Sequence, residues 1–206
     1  MPLLAASDLS LCRGGRLLFA GLSFEVAKGD LIQIEGCNGA GKTSLMRILA
    51  GLSRYGFDGS VSRDAAILYL GHQSAVKDML SPRENLAWSV AGRGQYSVDQ
   101  IDRALEEVGL YGYEDVPSHT LSAGQHRRVN LARLYLSDCP LWLLDEPFTA
   151  IDKAGIGDLE DLFVTHVKNG GAIVLTSHQA LALDYPVQSL ALGAGGGLGC
   201  VADADH

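Results

Sequence analysis

The peptide "GCNGAGKT" at residues 36–43 has the residue types and spacing of a phosphate-binding loop. It matches G-x-x-x-x-G-K-[ST], between a β-rich run, "LIQIE", and a helical pattern, "KTSLMRILAG". Glycines let backbone N–H groups converge on phosphate oxygens, and the start of the helix adds partial positive charge. The candidate ligand-binding residues are Gly36, Cys37, Asn38, Gly39, Ala40, Gly41, Lys42 and Thr43. Lys42 is predicted to reach the β- and γ-phosphates and Thr43 to hold Mg²⁺, with a chance glycine turn as the alternative.

Two adjacent carboxylates follow a second apolar run, "LWLL". Asp145 stands where a buried strand would end, and a carboxylate there can hold the Mg²⁺ of a nucleotide. Glu146 could polarise an attacking water as a general base. The alternative for Glu146 is a solvated acid at a strand end, and the phosphate loop upstream favours the catalytic role.

Gln73 and His178 follow two further strand-like runs, "ILYLG" and "AIVLTS". Both are predicted to lie at the carboxyl edge of a sheet, where α/β folds bind ligands. A lone histidine at a strand end is more often structural, and a lone glutamine is more often a surface residue. Their candidacy therefore depends on the other motifs.

A second turn rich in small residues, "LSAGQHRR" at residues 121–128, leads into a basic helical segment. Ser122 and Gly124 could present a hydroxyl and backbone N–H groups to an anion at the start of that helix. The basic pair Arg127 and Arg128 is interpreted as a solvated helix face.

The elements around these motifs predict an α/β fold. Short strands at "LSLC" and "LSFEV" flank an "RGGR" turn, and "LWLLDE" and "GGAIVLTSH" are apolar runs typical of buried parallel strands. Between them, "SVDQIDRALEEVG" starts with a capping box of Ser97 and Gln100. The sequence thus predicts one domain, residues 1–206, with a small N-terminal β-subdomain and a helical subdomain at about 81–137.

Composition narrows the class of partner. A net charge of −8 argues against nucleic acid as the main partner, although an acidic chain can still carry a local basic patch. The four cysteines form no C-x-x-C pair, which disfavours a zinc or disulfide framework, and Cys37 within the loop is expected to be reachable by thiol reagents. Residues 185–202 are uncharged but glycine-rich, so we expect a short strand and a turn, and no membrane span. Four histidines without paired ligand spacing are interpreted as surface residues: His72, His119, His126 and His166.

Taken in order, the motifs resemble those of the nucleotide-binding domains of ABC transporters over nearly the whole chain. Residues 36–43 match the Walker A loop, Gln73 matches the Q-loop glutamine, and residues 121–125 match the signature motif. Asp145 and Glu146 match Walker B and its catalytic glutamate, "AID" matches the D-loop, and His178 matches the switch histidine. The resemblance implies a P-loop NTPase fold of the ABC type, ATP as ligand, and Mg²⁺ held by Thr43, Gln73 and Asp145. It implies catalytic roles for Glu146, His178 and Gln73.

The resemblance also implies a partner. In such domains two copies pair head to tail, so Ser122 and Gly124 of one copy would face the γ-phosphate bound by the other. Two positions depart from the common pattern. Ala123 replaces a glycine, and no aromatic residue stands near Cys12 and Arg13 to stack on adenine, so Arg13 is the candidate in its place.

Longer runs, including "YLGHQSAVKDMLSPRENL" and "LWLLDEPFTAID", resemble the ATP-binding subunits of the bacterial cytochrome c maturation system, described as haem exporters. That resemblance implies integral membrane partner subunits, a peripheral place on the cytoplasmic face of the bacterial inner membrane, and no direct contact with haem. The alternatives are the ATPase subunit of another small-solute exporter or importer and, in a different class, a soluble ABC ATPase acting on ribosomes or DNA.

Overall fold

The computed structural model describes residues 1–89, 96–178, 181 and 183–192. Along the chain its elements are β1 (Leu4–Arg13), β2 (Arg16–Val26), β3 (Leu31–Glu35), α1 (Lys42–Leu49), β4 (Asp58–Arg63), β5 (Ile67–Leu70), α2 (Pro82–Ser89), α3 (Val98–Glu107), α4 (Ala123–Tyr135), β6 (Leu141–Asp145), α5 (Lys153–Lys168), β7 (Ala172–Thr176) and β8 (Gln188–Ala191). A short 3-10 helix lies at Ser118–Thr120.

The chain divides into two compact units. Unit 1 consists of Met1–Tyr69, Cys139–Pro147 and Leu159–His206, and unit 2 consists of Leu70–Asp138 and Phe148–Asp158. The chain therefore leaves unit 1 and returns to it twice.

Unit 1 contains an antiparallel sheet of order β2-β1-β4. The β1–β2 hairpin turns at Gly14 and Gly15, whose φ angles of +56° and +74° are conformations that glycine adopts without a steric penalty. The predicted pair of strands around "RGGR" is confirmed, and both strands are longer than the sequence pattern indicated. Register shifts interrupt the β1–β2 pairing at three places.

The second sheet of unit 1 has the order β5-β6-β7-β3-β8, and β6, β7, β3 and β8 pair in parallel. Every residue of β6 and β7 is buried, as the continuous apolar runs predicted. β8 supplies the short strand expected after Tyr185, while the predicted glycine-rich turn beyond Leu192 lies outside the described residues.

Unit 2 is mainly helical, with α2, α3 and α4 packed on one another around buried leucine and valine side chains. The predicted capping box is present at the start of α3, where Gln100 N–H donates to Ser97 Oγ and Ser97 N–H donates to Gln100 Oε1. Arg83 of α2 donates to Asp102 of α3 at 2.8 Å, so a charged pair joins two of the helices. No helix among the described residues is long and apolar enough to cross a membrane.

Candidate functional site

The loop at residues 36–43 connects β3 to α1, as its sequence predicted. Gly41 precedes the first residue of α1 and has a φ of +101°, and a Cβ there would lie 3.2 Å from Leu18 Cβ and 3.3 Å from the Phe19 ring. Both the backbone angle and this close packing require glycine. The loop therefore makes a tight, closely packed turn directly before the first residue of α1.

Lys42 is buried, with 8% of its surface exposed, and its Nζ donates to the carbonyl of Gly36 at 2.7 Å. The ammonium group thus lies against the phosphate loop rather than extending into solvent. Cys37, Asn38, Gly39 and Thr43 are exposed, so the outer surface of the loop is open to a ligand. The expected accessibility of the Cys37 thiol is confirmed.

At the carboxyl ends of β6 and β7, a single threonine links the two candidate carboxylate residues. Asp145 and Thr176 are register partners in the parallel pair. The Thr176 hydroxyl donates to Asp145 Oδ1 at 2.8 Å and accepts the backbone N–H of Glu146 at 2.9 Å. Thr176 is fully buried and Asp145 is 1% exposed, so these bonds are shielded from competing water.

Glu146 and His178 lie together at the same edge. Glu146 Oε1 is 3.3 Å from His178 Nε2, and the Glu146 side chain is 18% exposed against 55% for His178. Glu146 also has a φ of +53°, a conformation that is costly for a residue with a Cβ. The Glu146 carboxylate is therefore held beside a histidine and keeps access to a water molecule.

The donor atoms of unit 1 fit Mg²⁺. Thr43 and Asp145 supply a hydroxyl and a carboxylate, the hard oxygen ligands that Mg²⁺ prefers, and α1 packs against β6. Within the described residues, no group of three or more His, Cys, Asp or Glu side chains could hold a metal by itself. The donor set thus suits an ion that completes its coordination with water and the oxygens of a bound phosphate.

The second predicted turn forms the start of α4 in unit 2. Ser122 caps that helix, since its Oγ accepts the Gln125 N–H at 3.2 Å and its N–H donates to Gln125 Oε1 at 2.9 Å. A Cβ on Gly124 would lie 3.2 Å from the carbonyl of Ala150, so the glycine permits a close backbone approach. Ser122 is exposed, and its hydroxyl hydrogen can still be donated to an anion.

Gln73 is exposed and belongs to unit 2, in the segment after β5. Two hydrogen bonds hold its neighbours to α4: Arg127 Nη1 donates to Gly71 O at 2.9 Å, and Ser74 Oγ donates to His126 O at 3.2 Å. The structure thus brings the Gln73 segment against the helix that Ser122 caps.

Comparison with known proteins places this geometry in a family. A family model described as "ABC transporter" matches residues 19–149, more than half of the chain. The chain belongs to the ABC transporter family. It is 48% identical over 192 residues to the "Cytochrome c biogenesis ATP-binding export protein CcmA" of Pseudomonas savastanoi pv. phaseolicola, a match that covers 88% of this chain and 90% of the relative. It is 50% identical over 189 residues to the protein of the same name from Pseudomonas putida, covering 86% and 90% of the two chains.

The solved structures agree on the fold of this ABC transporter family member. A dimeric ATP-binding cassette, described in a post-hydrolysis state with ADP and Pi, aligns with a TM-score of 0.81 at 19% identity, covering 95% of this chain and 96% of the other. The predicted ABC-type α/β fold and the predicted family resemblance are both confirmed.

Two interpretations of the sequence were wrong in this ABC transporter family member. Arg127 is only 5% exposed, and Arg128 donates to Val108 O at 2.9 Å and to Asp152 at 3.0 Å, so neither belongs to a freely solvated face. His126 Nε2 lies 2.6 Å from Ser118 O, and the His166 ring stacks on Trp142 with centroids 3.7 Å apart, so these two histidines have structural contacts. His72 and His119 are exposed, as expected.

Sequence reasoning missed Thr176. It stands two residues before His178 in "LTSH", and its only sequence signal is a hydroxyl residue at the end of an apolar run. Its partners lie 30 and 31 positions away, so the register of β6 and β7 is needed to find them.

Proposed function

We propose that this chain is the ATP-hydrolysing subunit of an ABC transporter complex. The observation that carries the proposal is the group formed by Asp145, Thr176, Glu146 and His178 at the carboxyl edge of the sheet that also leads into the phosphate loop. In this arrangement the loop and Lys42 bind the phosphates of ATP. Mg²⁺, when held by Asp145 and Thr43, would supply positive charge to the β- and γ-phosphate oxygens.

The hydrolytic step follows from the carboxylate. Glu146 accepts a proton from a water molecule as its oxygen attacks the γ-phosphorus, and the bond to the β-phosphate oxygen breaks to leave ADP and inorganic phosphate. His178, whose Nε2 lies 3.3 Å from Glu146 Oε1, orients the carboxylate. Thr176 fixes the backbone of Glu146 relative to Asp145.

We further propose that a second copy of the chain completes each site. Ser122 caps the 13-residue helix α4, and Gly124 lies in its first turn. The N-terminus of this helix carries partial positive charge, and the Ser122 residue beside it is exposed. An anion is the complementary ligand for that surface. The γ-phosphate held by the loop of a second copy provides one, so bound ATP would hold two copies together.

We propose that this transporter serves cytochrome c biogenesis. Support comes from two curated relatives of 48% and 50% identity that bear that function in their names and align over most of both chains. By this proposal the chain is peripheral at the cytoplasmic face of the bacterial inner membrane and drives integral membrane subunits. Haem then contacts those subunits rather than this chain, and no nucleic acid is bound.

Lys42→Ala tests both levels of the proposal, with Lys28→Ala as a control that removes an equal charge from an exposed position. Lys42→Ala should abolish ATP binding and turnover and, in cells, remove covalent haem from c-type cytochromes while the apoproteins remain. Normal haem-stained bands together with lost transport of another solute would favour a different small-solute transporter. Co-purification with ribosomes or DNA instead of membrane proteins would support the soluble class.

A further inference from the structure

A cavity of about 490 Å³ opens in unit 1 beside the phosphate loop. Three pieces of chain line it: the end of β1 from Leu11 to Arg13, the first two turns of α1 including Thr43 and Ser44, and the loop between α1 and β4. Its volume is within the range of roughly 300–1,000 Å³ that small-molecule sites occupy. Thr43 both lines this cavity and belongs to the phosphate loop, so one ligand can reach both places.

The chemistry of the lining suits a flat, neutral or electron-rich group. Arg13 and Arg47 line the cavity, and none of the described residues in its wall is a carboxylate, which disfavours a cationic ligand. Guanidinium planes and aromatic rings stack on nucleobases. A molecule with a phosphate tail on residues 36–43 and a planar base in the cavity matches both halves of this surface.

Tyr55 is the aromatic side chain most available for such a base. It lines the cavity, yet 91% of its surface is exposed, so one face of its ring is not used for packing within the chain. Phe57, the other aromatic residue of the lining, is partly buried. The loop that carries Tyr55 is anchored, because the backbone N–H groups of Leu52 and Ser53 both donate to Arg47 O, at 2.9 and 3.1 Å.

We infer that Tyr55 supplies the aromatic contact with the base of a nucleotide bound in this cavity, next to the Cys12 and Arg13 positions where the resemblance places base stacking. The inference rests on the proposed ATP-binding function and adds a residue that sequence reasoning passed over. Arg13, which the sequence indicated as the candidate for stacking on the base, lines the same cavity as Tyr55. Because stacking uses the face of a base and not its edge, Tyr55 should contribute equally to binding of ATP and GTP.

The test compares the affinities of the full-length chain for ATP and for tripolyphosphate, measured by calorimetry. Tyr55→Ala should weaken ATP binding about 5- to 150-fold, the effect typical of removing one base-stacking ring, and leave tripolyphosphate binding unchanged. Tyr55→Phe keeps the ring and should bind ATP within about threefold of wild type. Leu52→Ala is the matched control, since Leu52 is an exposed side chain of the same loop that does not line the cavity.

Wild-type ATP affinity in Tyr55→Ala would overturn the inference. So would an equal loss for tripolyphosphate, because the substitution would then act on the phosphate loop rather than on the base, and so would a loss confined to Arg13→Ala. Failure of the proposed function looks different. In that case the wild-type chain itself would bind neither ATP nor tripolyphosphate, and no comparison of variants would be needed.

Discussion

Thr176→Val should damage both the stability and the catalytic centre of this protein. Valine keeps nearly the same shape but lacks the hydroxyl that donates to Asp145 Oδ1 at 2.8 Å and accepts Glu146 N–H at 2.9 Å. A hydrogen bond to a charged group contributes about 1.5–3 kcal/mol, and one between neutral groups about 0.5–1.5 kcal/mol. Since Thr176 is fully buried, water cannot replace either bond.

The free energy of unfolding should therefore fall by about 2–4 kcal/mol in Thr176→Val. For a chain of this size that corresponds to a decrease in melting temperature of roughly 5–15 °C, which calorimetry can measure. The kcat for ATP hydrolysis should fall by about 10- to 100-fold, because Glu146 loses the contact that fixes its unusual backbone angle and small displacements of a catalytic group are costly. KM should change less, since the phosphate loop is untouched.

Two controls make this prediction sharp. Thr176→Ser restores the hydroxyl and should recover most of kcat, whereas a purely steric role for the methyl group would leave it impaired. Thr165→Val places the same change at an exposed position of α5 and should alter neither quantity. A Thr176→Val protein with wild-type melting temperature and wild-type kcat would refute the reasoning.

Three further outcomes follow from the geometry. Glu146→Gln should retain ATP binding while hydrolysis falls by roughly 10²-fold or more, and size analysis with ATP should show a dimer; a monomer saturated with ATP would contradict the shared site. Ser122→Arg should block hydrolysis with little loss of ATP binding, and a mixed dimer of one Ser122→Arg chain and one Lys42→Ala chain should keep one working site. If each site instead used its own Ser122, that mixed dimer would have no working site. Burial lowers the pKa of the His166 imidazole, which stacks on Trp142. The folded protein should therefore lose stability as the pH falls from the unfolded-state pKa of about 6.5 to the lower pKa of the folded state. Replacing His166 with Gln should flatten that part of the plot of melting temperature against pH.

The features of this protein that can be predicted from sequence are those whose interacting residues lie within a few positions of each other. A phosphate loop is a run of eight, and a capping box joins Ser97 to Gln100 across three positions. Continuous apolar runs indicate buried strands regardless of which strand lies next to them. The order of the residues is therefore enough to locate these features.

The wrong and missing predictions concern residues whose partners are distant in the sequence. The local helical pattern around Arg127 predicts a solvated side chain because it cannot reveal that the acceptor is the carbonyl of Gly71, 56 positions away. His166 has an ordinary helical context, and only the fold brings Trp142 to it. Thr176 requires the parallel register of two strands. Strand register and tertiary contacts between residues distant in sequence leave no local signature. They account for the contacts of these residues that the sequence did not predict.

Two positive φ angles in the segment after β6 show how local backbone strain depends on contacts with residues distant in sequence. Glu146 and Ala150 both have positive φ, at +53° and +61°, each costing on the order of 1–3 kcal/mol for a residue with a side chain. Such angles persist only where surrounding contacts determine them. At Glu146 the contact is the buried Thr176 hydroxyl, and at Ala150 the carbonyl approaches a position where Gly124 has no Cβ. Within unit 1, the strained backbone of Glu146 therefore accounts for a hydroxyl at Thr176 in β7. Within unit 2, the close approach of the Ala150 carbonyl accounts for glycine at position 124 of α4.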